Sequence, residues 1–230
     1  MCAGNDGGIG VDWVDVSAEP NHVEQFRTNV ARVYEVTIKA GTATLYHRHD
    51  RDTAYVITAG GRFRSQEPGD QRSRTSLGRS TPILSQLRLL VSRLTNGWLQ
   101  APAGTVILQP HKDFPLIHRV HAHRSNPGPI RMIGVELQNG HPTPGRIGHV
   151  AGLLVEKHSS RWLVYRLRLD AGTTTTFTLA QGGVLVVVAG VAELSGSQDV
   201  PSGSARKMPY GTVTVRASDA QPLNAIIVPG

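Results

Sequence analysis

Cysteine is nearly absent: the 230 residues include one, Cys2, and it stands at the second position. That excludes an internal disulfide and any zinc site built on thiolates. Aromatic residues make up only 5%, too few to interleave with cations in a base-stacking surface. No apolar run reaches the roughly 18 residues that would cross a bilayer as a helix. The start, Met1 to Asp6, lacks the basic and apolar stretches of a secretory leader, so the cytoplasm is the expected compartment. Acidic residues are also short, 17 Asp and Glu against 24 Lys and Arg, for a net charge of +7. Such an excess can serve nucleic acid, but no helix-turn-helix pattern or Gly-rich phosphate loop accompanies it. The arginines are scattered, with one concentration between Arg62 and Arg93. The expected partner is a small-molecule substrate, not nucleic acid or membrane.

Helical periodicity is scarce too, apart from a short stretch over 83–94. What is present instead is a series of short alternating or β-branched runs, such as Val33 to Ile38, Thr53 to Thr58 and Ile130 to Leu137. Turn residues separate them: Ala40-Gly41, Gly60-Gly61, Asn126-Pro127-Gly128. An all-β protein of sandwich or barrel type follows.

The runs repeat. Val33-Tyr34 corresponds to Val164-Tyr165, Ala40-Gly41-Thr42 to Ala171-Gly172-Thr173, and Val56-x-x-Ala59-Gly60 to Val186-x-x-Ala189-Gly190. Further on, the segment from Pro129 corresponds to the segment from Pro222. Two copies of one β-unit explain this order and spacing. Between them, Asn139 to Gly145 has linker composition. The expected domains are 1–148 and 149–230, with an insertion over 65–96 in the first, read either as a lid or as a disordered stretch.

Metal binding needs neutral imidazoles converging from rigid backbone. On a strand, residues i and i+2 share a face, so His47 and His49 project together, with Leu45, and Arg48 points the other way. A third ligand is expected from Leu116 to His123. His118 shares a face with apolar Val120 and Ala122, and His121 and His123 share one with Arg119; His118 is therefore the better ligand. Other histidines, His22 and His111 among them, are set aside, His111 as a residue of the site mouth.

At these residues the chain resembles the cupin family. The family's first motif is Gly, five residues, His-x-His, three or four residues, Glu, six residues and Gly. Gly41 through His49 matches without a gap, and Gly60 closes the hairpin. Pro102-Ala103-Gly104 and His118 resemble the second motif, with longer spacing. The resemblance implies tandem double-stranded β-helix, or jelly-roll, barrels. The family's Glu is missing: Thr53 and Ala54 stand where it would fall, and Asp52, one residue early, is either a substitute ligand or an outer partner. In the second copy, counting from Gly172 puts Thr178 and Ala180 at the positions of His47 and His49, and Gly211 at that of His118. Only the first barrel then keeps a metal site.

The implied cofactor is one divalent metal ion, Fe(II) first, with Zn, Mn or Ni as alternatives. The implied activity is that of a mononuclear non-haem iron dioxygenase-like oxidoreductase acting on a small organic substrate. The alternatives are a redox-neutral isomerase, lyase or cyclase, or a non-catalytic binding module. Tyr46, Tyr55, Arg119 and Glu136 are available to orient a substrate. The resemblance allows two copies to pair through edge strands as a homodimer, and the sequence leaves the oligomeric state open.

Overall fold

The computed structural model describes residues 10–69, 97–138, 145–158, 161–195 and 198–230. The helix expected over 83–94, most of the insertion and most of the linker lie outside the described residues. Among the described residues there are nineteen strands and one 3-10 turn, Val16–Ala18.

The first unit is two facing sheets. One holds, in order, β2 (His22–Arg27), β3 (Ala31–Ile38), β10 (Ile130–Leu137), β5 (Thr53–Ala59) and β8 (Val106–Gln109). The other holds β1 (Val14–Asp15), β4 (His47–His49), β9 (Leu116–Ala122), β6 (Gly61–Gln66) and β7 (Leu99–Ala101). The second unit repeats the plan. One sheet is β11 (Leu153–His158), β12 (Leu163–Leu169), β19 (Leu223–Pro229), β14 (Gly183–Ala189) and β17 (Ala205–Met208). Its companion is β13 (Thr174–Leu179), β18 (Gly211–Ala217), β15 (Val191–Leu194) and β16 (Val200–Pro201). Every strand from β11 onward is the ninth after its counterpart, and the sheet orders coincide apart from the additional β1. The repeat in the sequence is a repeat of topology.

The shared Ala-Gly-Thr has a local cause. In each copy a β-turn closes through a backbone bond, Thr42 N–H to the Lys39 carbonyl and Thr173 N–H to the Asp170 carbonyl, both 3.1 Å. The third residue of each turn has positive φ, 77° at Gly41 and 71° at Gly172, where glycine carries no Cβ penalty. The threonine hydroxyl then donates back to the same carbonyl, at 2.8 Å and 2.7 Å.

Three apolar clusters form among the described residues. One fills the first barrel around Tyr34, Ile38, Ile57 and Ile130. A second fills the other barrel around Leu167, Leu179, Leu185 and Ile227, and Ile147 already belongs to it. The third lies between the barrels, where Val33, Val56, Ile133 and Val135 meet Trp162, Val164, Val184, Val186 and Ile226. Strands β3, β5, β10, β12, β14 and β19 are thereby covered on both faces. Two-sided burial is why Val184 to Val188 and Ala225 to Val228 read as continuous apolar runs and do not alternate.

Candidate metal centre

Strand β4 carries His47 and His49, which are 0% and 1% exposed. Strand β9 pairs with it antiparallel, in a register that sets His118 opposite His47. Ring centroids lie 4.8 Å apart for His47 and His49, 4.8 Å for His47 and His118, and 5.2 Å for His49 and His118. Leu45 does not join them: it precedes the strand and is 51% exposed, because strand parity does not extend back through the irregular stretch before His47.

Two further histidines complete the group. His22, the first residue of β2, has its ring 4.7 Å from that of His47 and 6.0 Å from that of His49. One ligand atom from each of His22, His47 and His49 lies within 4.8 Å of the others. Nitrogens bound at 2.0–2.1 Å to one ion are at most roughly 4.2 Å apart, so a contraction of about half an ångström would bring these three onto an ion. His111, on the turn after β8, stacks on His49 at 4.8 Å and 16° and is 2% exposed. Both rings, which the sequence alone does not mark as ligands, therefore lie within the cluster. His22 has no i+2 partner to mark it, and His111 sits on a turn where parity carries no information.

Hydrogen bonding orients the rings. Nδ1 of His47 lies 2.8 Å from the Leu45 carbonyl, which can only accept, so Nδ1 carries the proton and Nε2 keeps a lone pair. Nδ1 of His22 is 2.6 Å from Oε2 of Glu19. Nδ1 of His118 is 2.7 Å from the Ser65 hydroxyl, a residue the sequence reading assigned to the insertion although β6 runs through Gln66. The Nε2 atoms of His47, His111 and His118 are buried and have no hydrogen-bond partner among the described residues. A buried polar atom left unpaired is costly, and three of them on one cluster of neighbouring rings fit a cation.

Charge state agrees with that donor set. Burial, followed by the neighbouring His22, pulls His47 down to about 4. Burial likewise brings His111 to about 4 and holds His49 and His118 well below the ordinary imidazole value. Neutral rings are the ligating form. Glu19 runs the other way: burial alone would raise it, but hydrogen bonds from His22 and Asn21 outweigh burial and bring it to about 2. Its ionised carboxylate also accepts from the Leu45 N–H at 3.1 Å.

Asp52 is not in the group. Its Oδ1 accepts the Lys112 N–H at 2.9 Å, and its Oδ2 lies 3.1 Å from Nη1 of Arg161. Tyr55 approaches the site, its hydroxyl 3.3 Å and 3.4 Å from the two nitrogens of His49. Glu136 pairs with Arg32 away from the rings. Arg119 lies over the Tyr46 ring on the outer face of β9, 4.7 Å from its centroid.

The second barrel differs from the count made on the sequence by one residue on β13 and by two on β18, where Val213 and not Gly211 takes the place of His118. Thr178 is exposed, and the inward side chains of β13 are Phe177 and Leu179. Phe177 pairs with Val213 on β18, as His47 pairs with His118 on β9. Three buried apolar residues stand where the first barrel has imidazoles.

No protein-family model matches the sequence, and no curated protein matches it. Solved structures do resemble it. YhhW from Escherichia coli superimposes with a TM-score of 0.54 at 13% identity, over 87% of this chain and 81% of that one. The same protein, described as a bacterial pirin in complex with nickel(II), gives 0.54 at 12% identity, over 90% and 89%. The oxalate decarboxylase of Lactobacillus farciminis, as a formate complex, gives 0.56 at 9% identity, over 87% and 77%. The fold is a two-domain cupin. Identities this low establish the bicupin architecture alone, and its chemistry has to be argued from the histidines.

Proposed function

We propose that the first barrel of this bicupin binds one divalent transition-metal ion through His47, His49 and His118, with His22 and His111 as further imidazole donors. We propose further that it acts as a mononuclear non-haem iron oxidoreductase of dioxygenase type on a small organic substrate. The observation that carries the metal reading is the set of buried, unbonded Nε2 atoms of His47, His111 and His118. Fe(II), held by these imidazoles, would supply electron transfer between an organic substrate and dioxygen. The chain's own contribution is positional. Glu19 and the Leu45 carbonyl fix two rings in the tautomer that offers Nε2, the arrangement by which outer carboxylates and carbonyls set ligand direction. Tyr55, with the Tyr34 hydroxyl donating to it at 3.1 Å, borders His49 and can orient a polar substrate group. The rings of His47, His49 and His111 are themselves buried away from bulk water.

A second reading is redox-neutral Lewis-acid chemistry at the same site with nickel or zinc. The observation that favours it is nickel(II) in the E. coli pirin, and imidazole suits nickel and zinc as well as it suits iron.

Anaerobic purification of the full chain with elemental analysis tests both. Stoichiometric iron with substrate-dependent oxygen uptake is the expected result, and nickel or zinc without uptake favours the second reading. Unchanged metal content in His47→Ala and His118→Ala would overturn both.

A further inference from the structure

We propose that Arg161, contributed by the second barrel, is a positioning residue for the metal centre of the first. The inference rests on the metal reading above and asks what holds His111 beside it.

Arg161 lies on the link between β11 and β12, and its neighbour Trp162 is 4% exposed within the cluster between the barrels. Packing of Trp162 therefore fixes the backbone that presents the guanidinium. Nη1 of Arg161 lies 3.1 Å from Oδ2 of Asp52 and donates at 3.0 Å to Oδ1 of Asp113, and Nη2 contacts Oδ2 of Asp113. Asp52 stands three residues after His49 on the link to β5. Its other oxygen accepts the Lys112 N–H at 2.9 Å. Asp113 belongs to the turn in which the Asp113 and Phe114 N–H groups both donate to the Pro110 carbonyl, at 3.3 Å and 3.1 Å.

His111 sits inside that turn. One guanidinium thus grips a carboxylate two residues beyond His111 and another three residues beyond His49, the two rings that stack on each other. Asp52 is 3% exposed. Without Arg161 its charge would be buried and uncompensated, a strongly unfavourable state, and the 110–114 turn would have to move to relieve it. The displaced atom would be the unbonded Nε2 of His111.

Arg166, on β12, supplies the control. It also bridges the barrels, donating to the Gly104 carbonyl at 2.6 Å and bonding Glu156 and Asn224. None of those contacts reaches the 110–114 turn.

The test titrates nickel(II) into full-length metal-free protein and records imidazole NMR spectra of the same samples. Arg161→Ala should weaken nickel binding roughly ten- to hundred-fold, the range for outer-shell partners, and should shift or broaden the His111 ring signals in the absence of metal. Arg161→Lys keeps the charge without the planar fork, should fall between alanine and the parent, and serves if the alanine variant fails to fold. Arg166→Ala should lower the melting temperature but leave nickel affinity and the His111 signals as in the parent. Equal weakening by the Arg161 and Arg166 alanine variants overturns the proposal, as do parent-like affinity and spectra in Arg161→Ala. If the parent takes up no metal, the metal reading falls, and the His111 signals alone decide whether Arg161 positions the ring.

Discussion

Oε2 of Glu19 lies 2.6 Å from Nδ1 of His22, and Oε1 of the same carboxylate accepts the Leu45 N–H, whose residue's carbonyl receives Nδ1 of His47. One buried acid thus sets the orientation of two imidazoles from two different sheets. Replacing it with glutamine keeps the shape and removes the charge. Glu19→Gln should weaken divalent metal binding by about ten-fold or more, read by calorimetric titration of nickel(II). Parent-like affinity would show that His22 and His47 are held by packing alone.

The histidines of the first barrel should matter for metal and their counterparts in the second should not. His47→Ala and His118→Ala are expected to lose most bound metal while keeping the circular dichroism of a β protein. Phe177→Leu and Val213→Ala should lose some stability and no metal. Elemental analysis of the four proteins separates the cases.

Acid should destabilise the metal-free protein over a defined window. His47 and His111 titrate at about 4 in the folded chain against 6.5 for a free imidazole. Between those values the unfolded chain binds more protons, so stability rises with pH there and is lost as pH falls from about 6.5 toward 4. Melting temperatures at pH 7.5, 5.5 and 4.5 should fall in that order, more steeply in the parent than in His47→Ala. A flat profile in the parent would mean that these rings are already hydrated.

The contact between the barrels should behave as core. Ile226 is 0% exposed and lies in the shared cluster. Truncating it to alanine should cost about 2–5 kcal/mol, the range for a buried Ile, and both barrels should still unfold together in urea. Two separate transitions in the parent would contradict this.

Much of the fold could be read from the chain because β3, β5 and β10 carry runs whose limits the turn residues mark, and Ile130 to Leu137 proved to be one whole strand. The His47–His49 pair was legible for the same reason that a strand is: a period of two. His22 was not, because an acid and an imidazole three apart, at Glu19 and His22, give no strand signal; their meeting depends on the bend after the 3-10 turn. Ser65 was hidden by composition, since the Ser- and Arg-rich insertion begins before β6 has ended. The count that placed Thr178 at the position of His47 slipped by one residue, which on a strand reverses inside and outside. The inward residue is Phe177. Asp52 could not be placed from sequence either, as its partner Arg161 lies more than a hundred residues away in the other copy.

The double coverage of β12, β14 and β19 leaves the C-terminal half with two separate obligations. With Phe177, Leu179 and Val213 at the positions of the first barrel's imidazoles, those positions carry no ligand and belong to that half's own core. Its outer valines are the wall against which the N-terminal half closes. A gene cut after the linker would therefore release a half-molecule with a wide greasy side open to water, prone to clumping before any ion could reach it.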